Sequence, residues 1–226
     1  MAIDTYIKLR AAIADTANRD DLSADVPVFE GATIEGMIKR AVANATATIQ
    51  RDLVARGGHK NMETLDATLT TAAGVEYLDF PTDFAGARTF LLTGDPLRVL
   101  EFVDPTTLWI QYAAAATGRP EKYTIVGARR AYLRPVPDSG YAARLVYTQT
   151  LSALEDDADT NWVLTQHPDI YVGAAMMELC LYLENDTRLA FWKAYYDLKL
   201  TQLMGDDRNV RWAAMPQKPN LQVALA

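Results

Sequence analysis

A chain of 226 residues, half of them hydrophobic and 23% charged, holds enough apolar material for the core of one large domain or two small ones, which excludes intrinsic disorder. Mean hydropathy is near zero and no run reaches the roughly 18 uninterrupted apolar residues of a spanning helix, which excludes a membrane protein. The net charge is −7 and no cluster of bases exceeds the pair Arg129-Arg130, so affinity for free nucleic acid is not expected. Residues 151–226 hold eleven acids and six bases, five of the seven excess negative charges. The single cysteine, Cys180, excludes an internal disulfide or a cysteine-based zinc site, and His59 and His167 lie far apart in sequence. No metal and no cofactor are expected. The opening MAIDTYIKLR carries an acid where a signal peptide carries bases and then an apolar block, so synthesis in the cytoplasm of the producing cell is the expectation.

In chain order, Ile3, Tyr6, Ile7, Leu9 and Ile13 recur at spacings of three and four and predict a short helix ending at Asp15-Thr16-Ala17-Asn18. After the polar connection DDLSADVP, the set Ile34, Met37, Ile38, Ala41, Val42, Ala45, Thr48, Ile49 and Leu53 predicts a second helix of about 25 residues, stopped by Gly57-Gly58. Its other face, Ala43, Asn44, Ala47 and Gln50, is small and polar and would let another helix or subunit come close.

From residue 62 the period changes to two and the residues become β-branched and aromatic, in METLDATLTT, VEYLDFP, ARTFLLT, LRVLEFV, YTIVG, AYLRP and RLVYTQT. Hairpin-length connections, such as Gly127-Ala128 and the turn at Gly94-Asp95-Pro96, predict one antiparallel sheet of about six strands. One helix interrupts it, N-capped by Asp104 with Pro105 at its first position and running to Gly118.

Pro168-Asp169 opens IYVGAAMMELCLYLE, which is apolar on nearly every side and so reads as a central helix surrounded by protein. Asn185-Asp186-Thr187 caps the next helix. There Leu189, Trp192, Tyr196, Leu200 and Leu203 form a stripe that Phe191, Tyr195 and Leu198 widen. The final segment, with Pro216 and Pro219, has no helical period past Trp212 and reads as an extended tail, mobile in the free protein. The fold expected is α+β: residues 1–58 and 151–210 pair as one helical bundle, residues 59–150 form an inserted antiparallel β-sheet domain, and residues 211–226 form the tail.

Candidate chemistry is sparse. His59, after two glycines, reads as solvated, His167 as a surface or capping residue, and Cys180 as a small buried hydrophobe. The run Glu155, Asp156, Asp157 and Asp159 lacks the alternating ligands and central glycine of a calcium loop and reads as solvated. Trp212, beside Arg211, is the one aromatic with the makings of an interface anchor, with packing on its own bundle as the alternative. No catalytic residue is expected and the chain does not read as an enzyme.

The order LDFPTDFAGAR, DPLRVLEFVDPTTL, GRPEKYTIVGARRAYLRPVPDSGYAARLVYTQTLSAL and DDADTNWVLTQHPDIYVGAAMMELCLYLENDTRLAFWKAYYD resembles the head-to-tail adaptor (connector) proteins of tailed bacteriophages. It extends from the Tyr6 helix to about Trp212, with His167 standing where family members often have Tyr before Pro-Asp. The resemblance implies a structural virion protein of the neck. Copies, typically twelve, form a ring beneath the portal protein, and double-stranded DNA passes through it during ejection without sequence-specific binding.

It also implies that the helices face the portal, that the C-terminal tail enters it, and that the sheet receives the next tail protein, whether nozzle, stopper or tail terminator. An acidic wall suits such a channel because it repels phosphate. The portal-binding residues expected are Arg211, Trp212, Met215, Pro216, Pro219, Leu221, Val223 and Leu225. Two other readings are a tail-completion or tail-tube protein of the neck and a virion-associated wall hydrolase using carboxylates such as Glu155 and Asp169.

Overall fold

Which strands pair, and on which side, decides the architecture beyond what periodicity shows. The structure, a computed structural model, describes residues 2–18, 26–27, 33–34, 36–112 and 116–213, with the side chains at 26–27, 33–34, 186 and 208–213 outside the description. It is α+β and divides into two compact units, one of residues 1–59 with 152–226 and one of residues 60–151.

The first unit is built on helices. α1 (Tyr6–Ala17) ends where Asn18 takes a left-handed conformation at φ 55°, one that asparagine tolerates. Its N-terminal amides are satisfied from far along the chain: Tyr6 N–H donates to the Asp159 carbonyl at 2.9 Å and Ile7 N–H to that of Asp157 at 3.2 Å. A two-strand pair, β1 (Val26–Pro27) and β2 (Thr33–Ile34), precedes α2 (Met37–Ala55). α2 is 19 residues, shorter than the sequence suggests, because Ile34 belongs to a strand and the helix begins after Gly36. Ile38, Ala41, Val42, Ala45, Ile49 and Leu53 are buried, while Ala43, Asn44 and Ala47 face outward.

α4 (Trp162–Gln166) leads into α5 (Pro168–Tyr182), which packs against α1, α2, α4 and α6 (Asp186–Ala213). That explains its nearly all-apolar sequence. Burying each leucine or isoleucine there stabilises the fold by roughly 1.5–3 kcal/mol. α5 and α6 approach closely at Gly173, where a Cβ would stand 3.2 Å from the Tyr195 ring. Asn185 caps α6, its side-chain oxygen accepting from Arg188 N–H at 3.2 Å. The stripe of α6 is narrower than expected: Tyr196, Leu200 and Leu203 are buried, but Phe191 and Leu198 are exposed. α6 also runs to Ala213, so Arg211 and Trp212, expected at the start of an extended tail, are helical.

Among its described residues the second unit has eight strands in two sheets, not one sheet of six. β3 (Glu63–Asp66), β10 (Ala143–Gln149), β5 (Phe84–Leu92) and β6 (Arg98–Val99) lie side by side in that order, all antiparallel. β4 (Tyr77–Asp79), β9 (Arg130–Arg134), β8 (Lys122–Val126) and β7 (Glu101–Phe102) form the other sheet, in which β7 and β8 run parallel. The chain leaves one sheet and joins the other across the single buried residue Leu100, whose N–H donates to the Phe90 carbonyl at 2.8 Å. A shared core of Phe80, Phe90, Leu92, Tyr123, Leu133 and Leu145 joins the two, with Phe90 edge-on to both Phe80 and Tyr123. α3 (Pro105–Gln111) starts at the expected cap, the Asp104 carboxylate accepting from Thr106 N–H at 2.9 Å. It ends at Gln111, well short of Gly118, because Tyr112 is already extended.

Candidate functional site

The two histidines, His59 read as solvated and His167 as a surface or capping residue, converge on Trp162 in the helical unit. His59 is 3% exposed, and its ring stacks on Trp162 with centroids 4.6 Å apart and planes at 12°. Its Nε2 lies 3.7 Å from Oδ1 of Asp207, itself 4% exposed on α6. His167, between α4 and α5, meets the same indole edge-on at 6.5 Å. Local sequence cannot reveal this arrangement, because the ring that buries His59 comes from a residue 103 positions away. The chemistry is that of a fastening: an imidazole fills the space beside an indole and meets a buried carboxylate, which ties the end of α2 and the start of α4 to the last described turns of α6.

Beside it, Asn161 caps α4 by accepting from Leu164 N–H at 3.0 Å, and its amide donates to Ser152 O at 3.0 Å and to Tyr171 Oη at 2.7 Å. Thr46 of α2 also reaches Tyr171 Oη, at 3.4 Å. Burial holds the Tyr171 phenol above its ordinary range.

The acidic run is not merely solvated. The Asp159 carboxylate accepts from the backbone N–H groups of Asp156 and Glu155, both at 2.8 Å, which lowers its pKa, while Asp157 pairs with Arg10. With the two carbonyls that receive Tyr6 and Ile7, this loop forms the seat of α1. Glu155 and Asp169, the carboxylates a hydrolase would need, share no partner among the described residues. Asp169 faces Lys199 at 3.0 Å and raises the lysine pKa, and Glu155 lies on the exposed loop. Cys180 is buried, and burial pushes its thiol pKa up. Among the described residues no three His, Cys, Asp or Glu side chains stand close enough to hold a metal ion, and no helix is long and apolar enough to cross a membrane.

Of the residues expected to bind the portal, Arg211 and Trp212 continue α6, with side chains outside the description; Met215, Pro216, Pro219, Leu221, Val223 and Leu225 lie outside the described residues. The structure adds exposed apolar side chains that periodicity assigned to the core, above all Phe191 and Leu198 on α6. Their signal was the width of the stripe: apolar residues all round a helix cannot all face one neighbour.

In the sheet unit the bases are largely neutralised in place, Arg88 by Glu63, Arg98 by Glu121, Arg130 by Asp79, Arg134 by Glu76 and Lys122 by Glu101. The helical unit thus has its polar groups engaged in capping and fastening, and it carries an inserted two-sheet unit. The family model of the SU10 adaptor protein matches residues 4–219, both units together, and the chain belongs to that family, a phage structural adaptor of the virion neck. A search of curated proteins gave no match.

Proposed function

We propose that this protein joins the portal to the tail of its phage as a ring of many copies, twelve by the habit of such adaptors, around a channel that double-stranded DNA traverses without sequence-specific contact. The observation that carries the reading is the family match over residues 4–219, which takes in the helical unit and the inserted sheet unit alike. The side-chain chemistry supports it. The buried polar groups fasten helices to one another: His59 faces Asp207 beside the Trp162 ring, and the Asp159 carboxylate accepts from backbone amides of its own loop.

In this reading the helical unit meets the portal protein. α6 directs Arg211 and Trp212 and the following Met215, Pro216, Pro219, Leu221, Val223 and Leu225 into apolar grooves there. The sheet unit takes the downstream tail protein. The neck is built in sequence, so the free chain is a monomer and the ring closes on the portal.

Native mass spectrometry of the chain alone, and mixed with the portal protein of the same phage, tests this. One copy alone and a multi-copy complex on the portal are expected. A chain that never joins the portal at several copies per ring overturns the proposal.

A further inference from the structure

Two helices of the first unit, α2 and α6, both pack on α5 and each turns its opposite face to solvent. The two outward faces are unlike. That of α6 presents Phe191, 62% exposed, and Leu198, 55% exposed, two turns apart with Ala194 between them. Phe191 is held in place by ring contacts to Trp192 at 5.3 Å and Tyr195 at 6.5 Å, so its position is set before any partner arrives. Among the described side chains of this helix, Asp197 and Asp206 lie exposed, and the bases are Lys193, also exposed, Lys199, paired with Asp169, and Arg188, which reaches the Thr16 carbonyl; the side chains of Arg208 and Arg211 lie outside the description. The outward face of α2 reads Arg40, Ala43, Ala47, Arg51 and Val54 at helical spacing, with all five exposed. Its middle carries Ala43 and Ala47, with Asn44 beside them donating to Glu178 at 3.1 Å, and an arginine stands toward each end, Arg51 donating back to the Ala47 carbonyl at 3.4 Å.

We infer that the Phe191–Leu198 face of α6 in one copy of this chain packs on the Arg40–Val54 face of α2 in the next copy. Exposed aromatic and aliphatic knobs meet a shallow face that can receive them, and aspartates on the knob helix meet arginines on the receiving helix. The two surfaces differ, so the contact is head-to-tail. A head-to-tail contact leaves each added copy with one face still open and therefore propagates until it closes into a ring, whereas a face that paired with itself would stop at a dimer. This rests on the ring reading above and names the surface that would make it.

Cysteine trapping tests the contact. The double variant Ala47→Cys with Leu198→Cys, assembled on the portal protein and oxidised, should run on a non-reducing gel as a ladder of covalent oligomers. Each single variant should stay monomeric, and an equal mixture of the two should stop at dimers. In parallel, Phe191→Glu with Leu198→Glu should lower the copies retained on the portal by roughly tenfold or more, with unchanged circular dichroism. A wild-type ring of many copies, together with no ladder and full retention of the glutamate variant, overturns the contact while leaving the ring reading intact. A wild-type chain that binds the portal as single separate copies overturns the ring reading itself. Dimers from either single cysteine variant would show a self-pairing face and also overturn the inference.

Discussion

The imidazole of His59 lies flat on the indole of Trp162, 4.6 Å between centroids, with Asp207 of α6 at 3.7 Å from its Nε2. Both neighbours are far off in sequence, so this one ring ties three helices together. Replacing it with alanine removes the stack and leaves a cavity beside a buried carboxylate. His59→Ala should cost about 2 kcal/mol, read as a fall of roughly 4–8 °C in melting temperature. His59→Phe keeps the stack and should recover part of the loss; a melt unchanged by His59→Ala would show that the stack contributes nothing.

Asn161 makes three hydrogen bonds in a buried setting, one as a helix cap and two as a donor to Ser152 O and Tyr171 Oη. Loss of the cap alone costs about 1 kcal/mol. Asn161→Ala should therefore cost more, roughly 2–3 kcal/mol, because the carbonyl and the phenol also lose a donor. Tyr171→Phe should cost about 1 kcal/mol. Urea titrations of both variants give the comparison, and equal effects would contradict the assignment.

Two glycines should respond in opposite directions. A Cβ on Gly173 would meet Tyr195 Cδ1 at 3.2 Å and Tyr196 Cα at 3.5 Å, and the second of these is backbone that cannot swing aside. Gly173→Ala should destabilise by about 1–3 kcal/mol through forced separation of α5 and α6. Gly205, inside α6, has nothing within 4 Å of such a Cβ. Gly205→Ala should stabilise by about 0.5–1 kcal/mol, the ordinary gain of alanine over glycine in a helix.

The Tyr196 hydroxyl is buried and donates to the Asp52 carboxylate at 2.8 Å; burial first, and then the acid, raise its pKa. Tyr147 is likewise pushed up to about 12, by burial and by its bond to Asp83. A tyrosine whose folded pKa is raised stays neutral where the unfolded chain ionises. Its stabilisation is complete below about pH 10 and is lost as pH climbs through the folded value. Stability should thus fall between pH 10 and 12, and Tyr196→Phe should flatten that decline while lowering stability at neutral pH. Identical slopes for the two proteins would sink the assignment.

Local patterns reported local structure well. Asp104 and Pro105 gave the start of α3, Gly127 marked the β8–β9 turn, and the apolar circumference of IYVGAAMMELC marked the helix that others surround. Partners distant in sequence stayed hidden. The passage from one sheet to the other at Leu100 looks like one uninterrupted strand in LRVLEFV, because alternation tells which way a side chain points and not which sheet receives it. His59 follows two glycines and so resembles a loop residue until Trp162 and Asp207 arrive from elsewhere. On α6, apolar identity did not mean burial: Phe191 and Leu198 have the same residue types as core positions and stand in solvent.

Truncation probes the segment proposed to bind the portal. Because α6 carries Arg211 and Trp212 to Ala213, the cut belongs after Ala213. Removing residues 214–226 should leave circular dichroism and melting temperature of the free chain almost unchanged while preventing stable attachment to the portal. Full occupancy by the truncated chain would assign the attachment to the helices alone.

β3 and β10, the first and last strands of the inserted unit, are neighbours in one ladder, with Glu63 opposite Thr148. The 92 residues from Lys60 to Leu151 therefore depart and return through a single two-stranded stem, about 5 Å wide between Cα atoms. A stem of that kind makes the insert interchangeable. Any module whose ends lie one strand apart could be spliced at the same joint without altering the spacing between the helices that flank it. Variation in the insert could then proceed while the helical unit stayed as it is.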